Sequence, residues 1–85
     1  NTIEFLFKEG IEFSIVAYVD VIDFNPTIPT SVIKFEKQAL FAIAGYSYES
    51  AVLEEKKLIF EAGFGAQNFG SVLTVPLEAI SQIIV

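Results

Sequence analysis

Residues 51–64, AVLEEKKLIFEAGF, decide the fold class. Two apolar runs, 51–54 and 58–64, flank the charged triplet Glu55-Lys56-Lys57, the pattern of a β-hairpin with a solvated turn. In the second run Leu58, Phe60, Ala62 and Phe64 share one parity and Ile59, Glu61 and Gly63 the other, so one strand face is apolar and the other mixed. Downstream, GAQNFG (65–70) reads as a loop bounded by two glycines, and SVLTVP (71–76) as a strand that Pro76 ends. Residues 77–81 suit a single helical turn, and QIIV (82–85) starts a last strand.

Upstream of the hairpin, ALFAIAGYSY (39–48) is a nearly continuous apolar run and predicts a strand covered on both faces, with Gly45 marking a bulge or a close backbone approach. SVIKFE (31–36) predicts a short strand joined to it by Lys37 and Gln38, and NPTIPT (25–30), with two prolines, predicts a loop. IEFSIVAYVDVIDF (11–24) alternates, with Ile11, Phe13, Ile15, Val19 and Val21 on one face. TIEFLFKE (2–9) carries Ile3, Leu6 and Phe7 at helical spacing, with Thr2 placed to cap the start and Gly10 to stop the helix. A short helix followed by five or six antiparallel strands buries most apolar surface if the sheet bends into a small barrel. The helix-first order, with a helical turn before the last strand, is Sm-like. An OB-fold, whose helix falls between the third and fourth strands, fits less well, and a small open sheet with one helix is the remaining alternative.

The composition bounds the function. A chain of 85 residues is one domain, and 53% hydrophobic residues exclude disorder. There is no His and no Cys, so zinc sites, haem ligation, thiol chemistry and a Ser-His-Asp triad cannot be built from this chain. There is no Arg, and five Lys on a chain of net charge −6 make a poor nucleic-acid footprint. No 18-residue stretch is free of charge and no basic amino-terminal region precedes an apolar run, so neither a membrane helix nor a signal peptide is expected. Zero cysteines suit the cytoplasm. Glu54 and Glu55, and likewise Asp20 and Asp23, have opposite parity on their strands and do not converge as acid/base or metal pairs. Gly63-Phe64-Gly65 lacks the Gly-Lys-Ser/Thr of a phosphate loop. An enzyme is the least expected class, and no cofactor or metal is expected.

The carboxy-terminal half carries VLEEKKLIFEAGFG (52–65) and LTVPLEAISQII (73–84). A Leu-Glu strand, a turn, a Phe-x-Ala-x-Phe-Gly strand and then Val-Pro-Leu-x-Ala-hydrophobic resemble the stringent starvation protein B (SspB) family; the positions here are Leu53, Phe60, Ala62, Phe64, Gly65, Val75, Pro76, Leu77, Ala79 and Ile80. EFLFKEGIEFSIVAYVDV (4–21) is similar to that family's first helix and strand. The resemblance spans nearly the whole chain and departs from the family in a longer Pro-rich loop at 23–30 and about two extra residues at 67–70.

The resemblance implies an Sm-like core, residues 1–85, without the carboxy-terminal tail. It implies a bacterial, cytoplasmic adaptor whose groove binds an ssrA-type degradation tag and whose tail docks on the ClpX unfoldase of the ClpXP protease, raising local substrate concentration. The groove would be lined by Val32, Ile33 and Lys34 on one wall and by Ile59, Phe60, Glu61, Ala62, Gly63 and Phe64 on the other. The core would form a homodimer through Ile3, Leu6 and Phe7 of the first helix, with no nucleic-acid or membrane partner. Where family members carry Arg on the second wall, this chain has Ile59 and Gly63. From the residues alone, Ile59 either lines a groove or sits in a sheet covered on both sides, whereas Leu58, Phe60, Ala62 and Phe64 read as barrel core. The competing expectation is an Sm-like structural or assembly domain with no tag recognition.

Overall fold

Both ends of the first helix are set by local hydrogen bonds. The computed structural model describes all of residues 1–85. Helix α1 is Thr2–Lys8. Its cap is Asn1, one residue before the expected Thr2: the Asn1 side chain accepts the Glu4 N–H at 2.8 Å, and the Glu4 carboxylate reaches back to the Asn1 nitrogen. It stops at Gly10, whose φ of +71° lets the Gly10 N–H reach the Phe7 carbonyl at 3.2 Å and the Ile11 N–H the Leu6 carbonyl at 2.9 Å.

The strands that follow are β1 (Phe13–Tyr18), β2 (Asp23–Asn25), β3 (Gln38–Ile43), β4 (Val52–Glu54), β5 (Lys57–Phe64), β6 (Phe69–Pro76) and β7 (Ile80–Ile84). A second helix, α2, spans Tyr46–Ser50, and 3-10 turns occupy Val19–Val21 and Leu77–Ala79. All pairings are antiparallel, in a three-stranded sheet ordered β3-β1-β7 and a four-stranded sheet ordered β2-β6-β5-β4. The molecule is therefore mainly β, as the alternation predicts, but with seven strands in two sheets and two helices where five or six strands and one helix are expected, because the 3-10 turns and α2 divide the expected longer strands. The chain passes from one sheet to the other at Val19–Val21, through residues 26–37, at α2 and at Leu77–Ala79.

Other expectations change: β6 begins at Phe69, within the expected loop, and β7 at Ile80. The alternation across 11–24 is cut by the 3-10 turn, which does not keep the period of two: Val21 is 55% exposed and Ile22 takes the core position. Residues 31–36 form no strand; the Pro29 carbonyl draws in the Val32 and Ile33 N–H groups as a turn, and Phe35 anchors the segment by stacking on Phe24 at 5.5 Å and meeting Phe64 edge-on at 5.7 Å. The apolar run 39–48 is a strand only to Ile43, because Gly45, at φ +56°, turns the chain into α2. One face of β3 is open, with Leu40 59% exposed, so the strand is not covered on both sides.

The hairpin reads as expected, with a two-residue turn: Glu55 and Lys56 both have positive φ, the geometry of a type I′ turn, and Glu54 pairs with Lys57. The β5–β6 register runs from Lys57 opposite Pro76 to Phe64 opposite Phe69. Inward-facing Phe13, Ile15, Phe41 and Ile43 of one sheet meet Leu58, Phe60, Leu73 and Val75 of the other, and α1 adds Ile3 and Leu6 to the same cluster. Truncating Leu6 to Ala should cost about 2–5 kcal/mol in urea denaturation, whereas Phe5→Ala, on the exposed face of α1, should stay within about 0.5 kcal/mol. Equal losses would show that α1 docks by a different face.

Candidate functional site

Parity divides β5 into two sets of side chains. Leu58 and Phe60 are fully buried, and Ala62 and Phe64 are half-buried with Phe64 edge-on to Phe35 and Phe41. Of the expected groove residues, Phe60 is thus core, and Phe64 belongs to the aromatic cluster that holds residue 35. Ile59, Glu61 and Gly63 lie on the outer face. Ile59 is half-buried there, between its lateral partners Val52 and Thr74.

Strand β4 ends its pairing with β5 at Val52 opposite Ile59, which leaves the edge of β5 open at Glu61. Helix α2 fills it. The Ser47 hydroxyl donates to the Glu61 carbonyl at 2.8 Å, the Glu61 N–H donates to Ser50 Oγ at 2.9 Å, and Ser50 in turn donates to the Ser47 carbonyl at 3.1 Å. On this edge both main-chain groups of Glu61 are satisfied without a further strand. Tyr46 stands beside them, its hydroxyl donating to Glu61 Oε1 at 3.3 Å. The negative charge of Glu61, together with this hydrogen bond, holds the Tyr46 phenol above its ordinary value of 10.0.

A hollow of about 250 Å³ opens on this face, lined by Tyr46, Glu61, Ala62 and Gly63 and by Asn25 and Asn68 among others. At its rim the Ser71 hydroxyl donates to the Pro26 carbonyl at 2.9 Å and ties β6 to the Pro-rich loop. Gly63 lacks a side chain because Asn68, a positive-φ residue of the β5–β6 loop, lays its amide where a Cβ would stand. The space that Gly63 frees is therefore used within the hairpin.

The other predicted wall lies at the same loop. A Cβ on Gly65 would sit 2.8 Å from Val32 Cγ1 and 3.2 Å from the Val32 carbonyl oxygen, so the two segments are in contact. Val32 lines a second hollow of about 450 Å³ with Ser31, Ala66, Gln67 and Phe69. Ile33 is half-buried, and Lys34 is exposed and in no ion pair. The structure thus brings Val32 to the β5–β6 loop, while Glu61, Ala62 and Gly63 line the separate, smaller hollow.

The helix residues expected at a dimer contact are placed differently. Ile3 and Leu6, each 3% exposed, are held in the chain's own core, which accounts for their spacing without a partner. Phe7 is half-buried against Phe13 at 5.5 Å and Tyr48 at 5.4 Å. The helix residue presented outward is Phe5, at 57% exposure.

Sequence reasoning missed Tyr46, Ser47, Ser50, Asn25 and Asn68. One signal was present: Ser47 and Ser50, three apart after a glycine, are helix-spaced polar residues at and just beyond the end of a run read as a strand. Asn25 and Asn68 carried no such signal, because loop geometry alone places them. Comparison with protein-family models, with curated proteins and with solved structures finds no match. No helix is long and apolar enough to cross a membrane.

Replacing Glu61 with Gln should bring the Tyr46 phenol back toward 10.0, read by phenolate absorbance during an alkaline titration; an unchanged curve would mean that the pair is not formed in solution. Because the folded phenol holds its proton more tightly than the unfolded one, its contribution to stability is present below the unfolded value and is lost as pH rises through the folded one. Ser50→Ala should speed amide exchange at Glu61, lowering the local opening free energy by about 1 kcal/mol. Unchanged exchange would show that α2 does not protect this edge.

Proposed function

We propose that the chain is a peptide-binding adaptor of the SspB kind, built on an Sm-like barrel, that recognises an ssrA-type degradation tag and delivers tagged proteins to ClpXP in a bacterial cytoplasm. The observation that carries the reading is the junction of Val32 with Gly65. Val32, assigned to one groove wall by the resemblance, meets the residue that directly follows the other wall, and residues of the β5–β6 loop line both hollows. The barrel reading is supported by the pairing: β1 and β2 are one chain length bent at Val19–Val21, β6 and β7 another bent at Leu77–Ala79, and the two pair twice, as β1 with β7 and β2 with β6.

Affinity in this reading comes from side-chain contacts in the hollows rather than from strand addition along β5, since Ser47 and Ser50 already occupy the β5 edge at Glu61. Docking on ClpX would use a carboxy-terminal tail beyond Val85. A homodimer would meet at Phe5 and the open part of Phe7, Ile3 and Leu6 being committed to the core.

One feature favours the second reading, an Sm-like assembly domain without tag recognition. The outer face of the β3-β1-β7 sheet presents Leu40, Tyr18 and Ile84, exposed, around half-buried Val16. Strand β3, QALFAI, is an edge with neither charge nor proline to block further pairing. A ring in sedimentation would support assembly, and a dimer the adaptor.

The adaptor reading is tested by fluorescence polarisation with a labelled ssrA-type peptide and a scrambled control. Saturable binding of the tag alone is expected, and Val32→Asp, in the wall of the larger hollow, should weaken it by about tenfold or more. Absence of binding up to about millimolar peptide would overturn the reading.

A further inference from the structure

Glu61 is a carboxylate without a counter-ion. It lies exposed on the outer face of β5, and its one side-chain hydrogen bond, from Tyr46 to Oε1, is long at 3.3 Å. The chain's one ion pair within 4.0 Å is at Asn1 and Glu4, so none of the five lysines neutralises it. The lysine on the same strand face, Lys57, is four residues away, about 13 Å along an extended strand.

The rest of the smaller hollow points the same way. No Lys is among its lining residues, and its other polar side chains are the neutral amides of Asn25 and Asn68 and the hydroxyls of Tyr46 and Ser71. The Tyr46 side chain, 64% exposed, stands at its wall beside the Glu61 carboxylate. A carboxylate next to an exposed aromatic ring is the pairing that attracts an ammonium or guanidinium group. The net charge of −6 adds a field of the same sign. At about 250 Å³ the hollow suits one side chain better than a whole small-molecule ligand.

We propose that the hollow between Tyr46, Glu61 and Gly63 receives a cationic group of the bound peptide, a Lys or Arg side chain or a free amino terminus, so that the peptide is basic where it meets β5. This rests on the peptide-binding reading and gives the contact a charge opposite to that suited by the Arg-bearing members of the family.

The test is a polarisation series with ssrA-type peptides that differ at one scanned position, carrying Lys, Arg, Ala or Glu, each with a free and with an acetylated amino terminus. At the responsive position the Lys or Arg peptide should bind about 5- to 30-fold more tightly than the Glu peptide, with the advantage shrinking in high salt. If the amino terminus is the cation, acetylation should cost the same factor at every scanned position. Glu61→Gln should erase the difference while preserving the fold, because the bonds from Ser47 and Ser50 are to the Glu61 main chain. Tyr46→Leu should reduce it in part.

Equal or tighter binding of the Glu peptides at every position, with acetylation neutral, would overturn the inference and leave the adaptor reading standing. A cation preference that survives Glu61→Gln would overturn it as well, since the recognising group would lie elsewhere. Failure of every peptide, the parent tag included, would overturn both.

Discussion

The structure depends on the chain turning from one sheet into the other within three residues, twice. With 85 residues, neither a three-stranded nor a four-stranded sheet can bury an apolar face alone, so the two must face each other. The 3-10 turns at Val19–Val21 and Leu77–Ala79 make this possible. Each ends a strand in one sheet and starts a strand in the other, and the bent lengths they create pair with each other on both sides of the core. Leu58, Phe60, Leu73 and Val75 then find Ile15, Phe41 and Ile43 opposite them, and α1 contributes Ile3 and Leu6.

The same economy shapes the candidate site. Where the strands end, their open edges are closed by side chains rather than by further strands. Ser47 and Ser50 take the place of a β4 extension at Glu61, and Asn68 takes the space over Gly63. Phe35, inserted among Phe24, Phe41 and Phe64, holds an irregular segment where a ladder would otherwise be needed. The hollows lined in part by the β5–β6 loop are what these replacements leave over. Their chemistry is set by whichever side chains close the edges, which is why Tyr46 and Glu61, rather than the strand's apolar residues, give the smaller hollow its character.

Much of this was legible in the residues. The amphipathic helix with its glycine stop, the β-hairpin around Glu55 and Lys56, the Pro-rich loop, the strand ended by Pro76 and the single turn after it all follow from spacing and from residues with restricted or permissive backbones. The parity of Leu58, Phe60, Ile59 and Glu61 on β5 was equally readable, because a strand's period is two wherever it is unbroken. Within the site, Glu61, Ala62 and Gly63 line one hollow and Val32 another, while Phe60 is core, as its parity on the apolar face of the strand indicates.

The sequence by itself determined the mainly β class, the existence of most elements and which face of the hairpin is apolar, since these depend on neighbours within a few residues. Only the tertiary structure decided where the strands bend, that residues 31–36 are held by Phe35 and not by a ladder, that α2 replaces the end of a strand, and that Tyr46, Asn25 and Asn68 converge on Glu61 and Gly63. Those outcomes depend on groups brought together across the sheets, where an aromatic cluster or a serine hydroxyl meeting a free strand edge outweighs the local preference of the chain.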